Sequence, residues 1–228
     1  MNNLAIIPAR GGSKRIPGKN IRPFLGRPII NYSIKAALES GLFSEVMVST
    51  DDVAIAETAR NAGAMVPFMR SPENSGDFAP LVDVTDETLR KYHEIGKTFE
   101  FVCCILPTSP LVNPGLLQQA FSLLKTGPFD AVWPLVKYSY PIQKALKIKE
   151  QRVEMFYPDL FMKRTQDFEP AYHDAGMFYF FKEEAGLMTP NRGAIILDEM
   201  YVQDIDNETD WKLAELKYQL LYPEKIRK

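Results

Sequence analysis

The sequence is poor in the residues that most often form disulfides or metal clusters. Its 228 residues include two cysteines, two histidines and two tryptophans. The cysteines, Cys103 and Cys104, are adjacent in an apolar run, and neighbouring residues of a strand point to opposite faces. We therefore predict two buried thiols, which form neither a disulfide nor a metal pair.

Net charge and long apolar runs are also scarce. The formal net charge is −2 with 25% charged residues, so the chain as a whole does not attract nucleic acid and we expect no such partner. No stretch approaches the ~20 apolar residues that span a bilayer. The N-terminus lacks the pattern of a signal peptide, so we expect a cytoplasmic protein without membrane contact.

The order of the elements predicts an α/β fold. Strands near 4–7, 45–50 and 65–69 alternate with helices near 29–40 and 53–61, the order of a nucleotide-binding half-fold. Continuous apolar strands favour a mostly parallel central sheet flanked by helices, in a single domain over residues 1–228. The later predicted elements are helix 81–92, strand 101–106, a helix ended by Gly127, strand 130–136, strand 176–181, strand 200–203 and helix 207–221.

Residues 137 to about 172 differ from the rest in composition. Aromatics, prolines and cations are frequent there, with short alternating pieces such as 145–148 and 153–155. We interpret this segment as a small β-rich lobe inserted into the main sheet. Alone it would be too small to bury its apolar side chains, so it needs another surface to pack on.

The loop after the first strand combines glycines with cations. Pro8 ends that strand because it has no N–H to donate, and the loop therefore starts at the carboxyl edge of the sheet, where such folds bind ligands. Gly11 and Gly12 permit close approach of the backbone to a ligand. The cations are Arg10, Lys14, Arg15 and Lys19. The combination predicts a site for a nucleoside triphosphate, with a basic surface loop as the alternative.

This loop matches neither of two common phosphate-binding patterns. A P-loop needs Gly-Lys followed by Ser or Thr, whereas Gly18 and Lys19 are followed by Asn20, and the spacing from Gly12 is one residue too long. The dinucleotide pattern Gly-x-Gly-x-x-Gly is also missing. A P-loop kinase is therefore excluded.

The spacing Ala-Arg-x-x-Ser-Lys-x-x-x-x-Lys-Asn resembles the CMP-sialic acid synthetase family of sugar cytidylyltransferases. Its members here are Ala9, Arg10, Ser13, Lys14, Lys19 and Asn20. The resemblance continues through 48–51, 107–110 and 204–206 and covers essentially the whole chain. Segments 139–143 and 172–176 look most like those of the family's enzymes for pseudaminic acid.

The resemblance implies a fold, a reaction and an assembly. The fold is the Rossmann-like nucleotide-diphospho-sugar transferase fold, and the substrates are CTP and a nonulosonic acid, whose hydroxyl attacks the α-phosphorus and expels pyrophosphate. Catalytic roles fall to Arg10, Lys14 and Lys19. The implied nucleotide-binding residues are Ala9, Arg10, Gly11, Gly12, Ser13, Lys14, Lys19, Asn20 and Arg70, and the implied sugar-binding residues are Thr108, Ser109, Arg164, His173 and Asp174. The lobe is implied to reach across the interface of a homodimer.

Two carboxylates near the C-terminus suit a metal ion. Asp204 and Asp206 are two apart in an extended segment, so both point to one face, and oxygen ligands suit Mg²⁺. From the residues alone, Asp206 could instead cap the helix that begins near Asn207. The resemblance favours paired magnesium ligands.

For three residues the sequence leaves two interpretations open. Arg164 matches a family position that binds the sugar carboxylate, but it could also form a surface ion pair. His173 could contact the sugar or stabilise a turn, and Arg70 could contact nucleotide or lie on the surface. We expect His93 to be an ordinary surface residue.

The identity of the sugar rests on departures from the family. Leu106 stands where sialic acid synthetases usually have Gln, and 141–144 lacks their lysine spacing. Both differences favour a less polar sugar such as pseudaminic acid. Sialic, legionaminic and 3-deoxy-octulosonic acids remain alternatives, as does a non-catalytic nucleotide-binding module.

Overall fold

The computed structural model describes residues 2–225, and these residues form a central sheet with helices on both faces. The seven strands of the sheet are β1 Asn3–Pro8, β4 Glu45–Ser49, β5 Phe101–Ile105, β6 Ala131–Lys137, β9 Tyr172–Asp174, β10 Phe178–Lys182 and β11 Arg192–Leu197. Two short hairpins lie outside it, β2 Pro23–Phe24 with β3 Arg27–Pro28, and β7 Leu146–Lys149 with β8 Arg152–Met155.

Five strands of the sheet run in one direction. The order is β11-β6-β10-β5-β1-β4, in which β10 is antiparallel to both neighbours and β9 continues along the same side of β6. The remaining neighbours pair in parallel, so the carboxyl ends of β4, β1, β5, β6 and β11 meet at one edge. This confirms the predicted mostly parallel α/β architecture.

The helices begin and end where local chemistry dictates. They are α1 Ile30–Ser40, α2 Val53–Asn61, α3 Leu81–Glu94, α4 Pro114–Thr126 and α5 Glu208–Leu221. The side chains of Asp52, Asn113 and Asn207 accept hydrogen bonds from the first turns of α2, α4 and α5. Gly41, with φ +67°, ends α1 in the left-handed conformation that glycine adopts without strain.

Side chains of β1 alternate between two hydrophobic clusters. Ala5 and Ile7 pack with α1, α2, α4 and α5, whereas Leu4 and Ile6 pack with α3 on the other face. All four are fully buried, as expected for a central strand. Cys103 and Cys104 divide between the two clusters in the same way and are free buried thiols, which confirms that prediction.

Two predicted strands are wrong. In 65–69, Met65 alone bridges to Met47, and Pro67 then interrupts any ladder because it has no N–H. The segment 200–203 is not a strand either, since a 3-10 turn, Glu199–Tyr201, begins there with the Asp198 carboxylate accepting from the Met200 N–H. The last strand is β11, which sequence reasoning missed.

The segment between β6 and β9 carries the β7–β8 hairpin away from the main sheet. Ile148 and Val153 pair across the hairpin and are 78% and 67% exposed. Leu146 lies on the same face and is also exposed. Among residues 2–225, no helix is long and apolar enough to cross a bilayer.

Candidate active site

The N-terminal loop, residues 9–20, leaves the sheet at the carboxyl end of β1. Ala9 is fully buried, and its N–H donates to the Ser49 carbonyl at 2.9 Å, so the loop starts against the end of β4. Asn20 is also buried and its side-chain amide donates to the Arg10 carbonyl at 2.9 Å. Asn20 therefore closes the loop, and this contact gives it a structural role beside the predicted nucleotide contact.

The glycines of the loop have different local roles. The Gly11 N–H donates to Asp51 at 3.0 Å, and a Cβ on Gly11 would lie 2.6 Å from the Asp52 carboxylate, so only glycine fits there. Gly12 faces open space where a Cβ would stand, and its N-terminal neighbour Gly11 accepts from the Ser13 N–H at 3.0 Å. Backbone near Gly12 is thus accessible to a ligand.

Two loop cations share one carboxylate. Arg10 Nη1 lies 3.0 Å from Asp77 Oδ1, and Lys14 Nζ lies 2.5 Å from Asp77 Oδ2. Arg10 also donates to the Gly76 carbonyl at 2.6 Å. Lys14, followed by Arg10, lowers the pKa of the Asp77 carboxyl, so this carboxylate is ionised beside both cations. Sequence reasoning missed Asp77.

A third loop cation joins the loop to the C-terminal part of the chain. Lys19 Nζ donates to the Ile205 carbonyl at 2.6 Å. Burial lowers the pKa of the Lys19 ammonium, while the charges of Asp206 and Asp204 oppose that change. Arg15 Nη1 lies 2.6 Å from Asp206 Oδ2. The structure therefore brings these predicted catalytic and metal-binding residues together.

The charges of Asp204 and Asp206 act on each other. Burial raises the pKa of Asp204, and the charge of Asp206 raises it further, so the two carboxylates repel each other. A divalent cation would relieve that repulsion, and hard carboxylate oxygens suit Mg²⁺. Within residues 2–225 no cluster of three or more His, Cys, Asp or Glu side chains could hold a metal, so phosphate or water oxygens would complete the ligand set.

The alternative role for Asp206 as a helix cap does not match the structure. The N-cap of α5 is Asn207, whose side chain accepts from the N–H groups of Thr209 and Asp210. Asp210 in turn accepts from the N–H groups of Asp206 and Asn207, at 2.9 and 3.0 Å. The Asp206 carboxylate is therefore not used for capping.

Arg70 is buried under the end of β4. Its Nε donates to Ser49 Oγ at 3.1 Å, and its Nη2 donates to the Ser49 carbonyl. Burial lowers the pKa of this guanidinium, while Asp51 and Glu87 oppose the change. The alternative that Arg70 lies on the surface is thus wrong. The hydrogen bonds of Arg70 to Ser49 fix the start of the 70–80 segment.

The predicted sugar-binding residues are spread over several elements. Thr108 and Ser109 follow β5, where Ser109 Oγ donates to the Gly176 carbonyl at 3.4 Å. On β9, His173 Nδ1 donates to the Asp174 carbonyl at 2.8 Å and its ring lies 4.9 Å from that of Tyr138.

Asp174 and Arg164 have local partners in the structure. Asp174 accepts from the Gly176 N–H and from the Tyr179 hydroxyl, both at 2.8 Å. Arg164 lies on an exposed turn and forms two 3.0 Å contacts with Asp167, three residues away. His93, predicted as a surface residue, pairs with Glu183.

A cavity of about 250 Å³ lies beside Asp174 on the α3 face of the sheet. Trp133 Nε1 is buried there and has no hydrogen-bond partner within the described residues. The lining residues are Pro80, Leu81, Val82, Trp133, Asp174, Tyr179, Leu187 and Met188. Apart from Asp174, sequence reasoning missed them, because they come from four separate segments that only the fold brings together.

Comparison with known proteins identifies the family. The family model for cytidylyltransferases matches residues 4–219. A pseudaminic acid cytidylyltransferase from Campylobacter jejuni is 40% identical over 226 residues, covering 96% of this chain and 97% of the relative. A CMP-N,N'-diacetyllegionaminic acid synthase from Legionella pneumophila is 32% identical over 228 residues, covering 94% and 95%.

A solved structure supports the same fold. The structure of CMP:2-keto-3-deoxy-manno-octonic acid synthetase complexed with CTP superposes with a TM-score of 0.68 and 15% identity, covering 98% of this chain and 100% of the other. A 4-diphosphocytidyl-2C-methyl-D-erythritol synthase from Anaerococcus prevotii superposes with a TM-score of 0.64 and 13% identity, covering 96% and 98%. The resemblance seen in the sequence is thereby confirmed, and the chain belongs to the cytidylyltransferase family.

Proposed function

We propose that this chain transfers CMP from CTP to a nonulosonic acid, with pseudaminic acid as the preferred sugar, and releases pyrophosphate. The observation that carries the proposal is the contact of Lys19 with the Ile205 carbonyl, because it holds the cationic loop against the carboxylates of Asp204 and Asp206. The similarity to a pseudaminic acid cytidylyltransferase supports the choice of sugar.

In this reaction the protein mainly positions the reactants and neutralises charge. A sugar hydroxyl oxygen forms a bond to the α-phosphorus, the bond from that phosphorus to the oxygen of the leaving pyrophosphate breaks, and the hydroxyl proton passes to water. Arg10, Lys14 and Lys19 would hold the phosphates and stabilise the charge that develops on the leaving pyrophosphate. The N–H of the exposed Gly12 would add a backbone donor. Each such donor is worth roughly 3 kcal/mol of barrier.

Asp204 and Asp206 would hold Mg²⁺ in the loaded enzyme. Bound there, the ion would neutralise phosphate charge. Arg15 Nη1 lies 2.6 Å from the Asp206 carboxylate, and Lys19 lies close by. These cations partly compensate the charge of the two carboxylates.

The cavity beside Asp174 is the proposed location of the apolar parts of the sugar. Its walls are mainly hydrocarbon, and the Asp174 carboxylate is a polar group of its lining that could fix an orientation. Leu106 at the end of β5 packs against the cluster on this face, which suits a less polar sugar. His173 and Arg164 would add polar contacts, and the exposed Arg164–Asp167 pair is weak enough to exchange for a sugar carboxylate.

We also propose a homodimer in which the β7–β8 hairpin covers a second copy. One face of this hairpin presents Leu146, Ile148 and Val153 to solvent. A two-stranded hairpin is at best marginally stable alone, and exposed apolar patches of this kind mark contact surfaces. A cytoplasmic location with access to CTP, and a role of the activated sugar in surface glycan synthesis, complete the proposal.

The test is release of pyrophosphate with CTP, Mg²⁺ and a panel of purified nonulosonic acids. We expect release with pseudaminic acid to exceed that with sialic, legionaminic and 3-deoxy-octulosonic acids. The same reaction without enzyme supplies the blank. No release with any sugar would leave a nucleotide-binding protein without this activity.

A further inference from the structure

Asp77 forms ion pairs with Arg10 and Lys14, the two cations that are proposed to bind phosphate. Its Oδ1 lies 3.0 Å from Arg10 Nη1, and its Oδ2 lies 2.5 Å from Lys14 Nζ. The neighbouring Gly76 carbonyl accepts from the same Arg10 nitrogen at 2.6 Å. A carboxylate of the chain itself therefore lies where a phosphate group would bind.

The segment that carries Asp77 is firmly held at its base. There the buried Glu87 carboxylate accepts from the Ser71 N–H at 2.8 Å and from the Asn74 side chain at 2.6 Å. Arg70 fixes the same end to Ser49.

The tip of the segment has little packing. Phe78, next to Asp77, is 97% exposed. The side-chain contacts described for residues 76–79 are those made to Arg10 and Lys14. The tip can therefore leave the cations without uncovering any core, while the base stays in place.

The number of negative charges decides whether Asp77 or a phosphate group pairs with Arg10 and Lys14. One carboxylate shares a single negative charge between Arg10 and Lys14 in exposed pairs, whereas a triphosphate brings several charges and more acceptor oxygens. CTP should displace Asp77. Once the bond between the α- and β-phosphates is broken, pyrophosphate is no longer tied to the nucleoside, and the carboxylate can compete for the same cations.

Building on the proposed function, we propose that Asp77 competes with phosphate groups for Arg10 and Lys14 and thereby keeps pyrophosphate binding weak enough for the product to leave. Asp77 acts through these two cations and is a positioning residue. Its competition also lowers the affinity for CTP, which is the cost of releasing the product.

The test is calorimetric binding of inorganic pyrophosphate in the presence of Mg²⁺. We expect Asp77→Asn to bind pyrophosphate about tenfold more tightly than wild type, because the two exposed ion pairs of the Asp77 carboxylate no longer compete with pyrophosphate. Asp77→Glu keeps the charge and should restore weak binding. Asp83→Asn, an equal loss of charge on the exposed side of α3, should leave binding unchanged.

Kinetics supply a second readout that a purely structural role would not move. In Asp77→Asn the KM for CTP should fall and inhibition by pyrophosphate should tighten, without a rise in kcat. Equal or weaker pyrophosphate binding in Asp77→Asn, at an unchanged melting temperature, overturns the inference. If Asp77→Asn fails to fold, Asp77→Ser is measured in the same way and the same outcomes decide.

The binding experiment needs no sugar. Tighter pyrophosphate binding by Asp77→Asn supports the competition even if no sugar is turned over. Sugar turnover with unchanged pyrophosphate binding would instead support the proposed function and reject the role of Asp77.

Discussion

Lys19 Nζ lies 2.6 Å from the carbonyl oxygen of Ile205, although 186 positions separate the two residues in the chain. Ile205 is fully buried and stands between Asp204 and Asp206, so this contact fixes the N-terminal loop against the carboxylate pair. Because Lys19 is partly buried and bonded to Ile205, its ammonium is pre-positioned and would lose little freedom on binding the proposed phosphate.

Replacing Lys19 by Ala should lower kcat on the order of a hundredfold, because one preorganised donor to the leaving group is removed. The loss of its bond to Ile205 should cost about 1 kcal/mol of unfolding free energy. Steady-state kinetics and urea denaturation measure the two effects. Lys35→Ala is the control, since Lys35 forms an exposed pair with Glu39 on α1. Turnover near that of wild type would remove Lys19 from the catalytic residues.

Replacing Asp206 by Asn should raise the Mg²⁺ concentration needed for half-maximal activity on the order of tenfold, because one of two carboxylate charges is lost. Adding a chelator should abolish turnover in wild type. Activity titrated with Mg²⁺ gives the comparison, with Asp83→Asn as the control for loss of one exposed carboxylate. An unchanged Mg²⁺ requirement in Asp206→Asn would contradict the proposed metal site.

Glu87 should make the protein sensitive to acid. Burial alone would raise the pKa of this carboxyl, but hydrogen bonds from Lys91, Asn74 and Ser71 outweigh burial and hold the pKa at about 2. In the unfolded chain the pKa of Glu87 is higher, about 4.3. The stabilisation that the Glu87 carboxylate provides is therefore complete above that pH and is lost as the pH falls towards 2.

The matched measurement compares Glu87→Gln with Glu94→Gln, which breaks only the exposed pair to Arg90 on the same helix. At pH 7, Glu87→Gln should lose roughly 1–2 kcal/mol of unfolding free energy after allowance for solvent screening. The difference from wild type should shrink below about pH 4. A difference that stays constant from pH 7 to pH 2.5 would disprove the linkage.

Replacing Ile148 by Asp should produce monomers if the exposed hairpin face covers a second copy. Light scattering after size-exclusion chromatography measures the mass in solution. Lys149→Asp is the matched control, because Lys149 lies on the opposite face of the hairpin, across from Arg152. A dimer that survives Ile148→Asp, or a wild-type monomer, would reject this surface as the interface.

The sequence predicts the position of the N-terminal loop and the start of α2 because the signals there are local. The loop follows a strand that is buried on both faces, and Asp52 caps α2 at the predicted position. By contrast, a predicted strand at 65–69 reduces to one bridge at Met65, since apolar character alone does not reveal that Pro67 stops the ladder.

The features that the sequence does not predict depend on contacts between distant segments. The strand β11 alternates between exposed and buried residues as an edge strand does, but its exposed positions include the apolar Ala194 and Ile196, so residues 192–197 show no alternation in sequence. No local pattern shows that Asp77 meets Arg10 and Lys14, or that Trp133 and Leu187 line one cavity. These contacts follow from tertiary packing, which single-sequence patterns do not specify.

The most direct measurement is the rate of pyrophosphate release from CTP with Mg²⁺ and each of four sugars, pseudaminic, legionaminic, sialic and 3-deoxy-octulosonic acid. Wild type and Lys19→Ala are measured side by side. We predict release that requires CTP and is fastest with pseudaminic acid, and its near loss in Lys19→Ala. No release above an enzyme-free blank with any of the four sugars would contradict the proposed function.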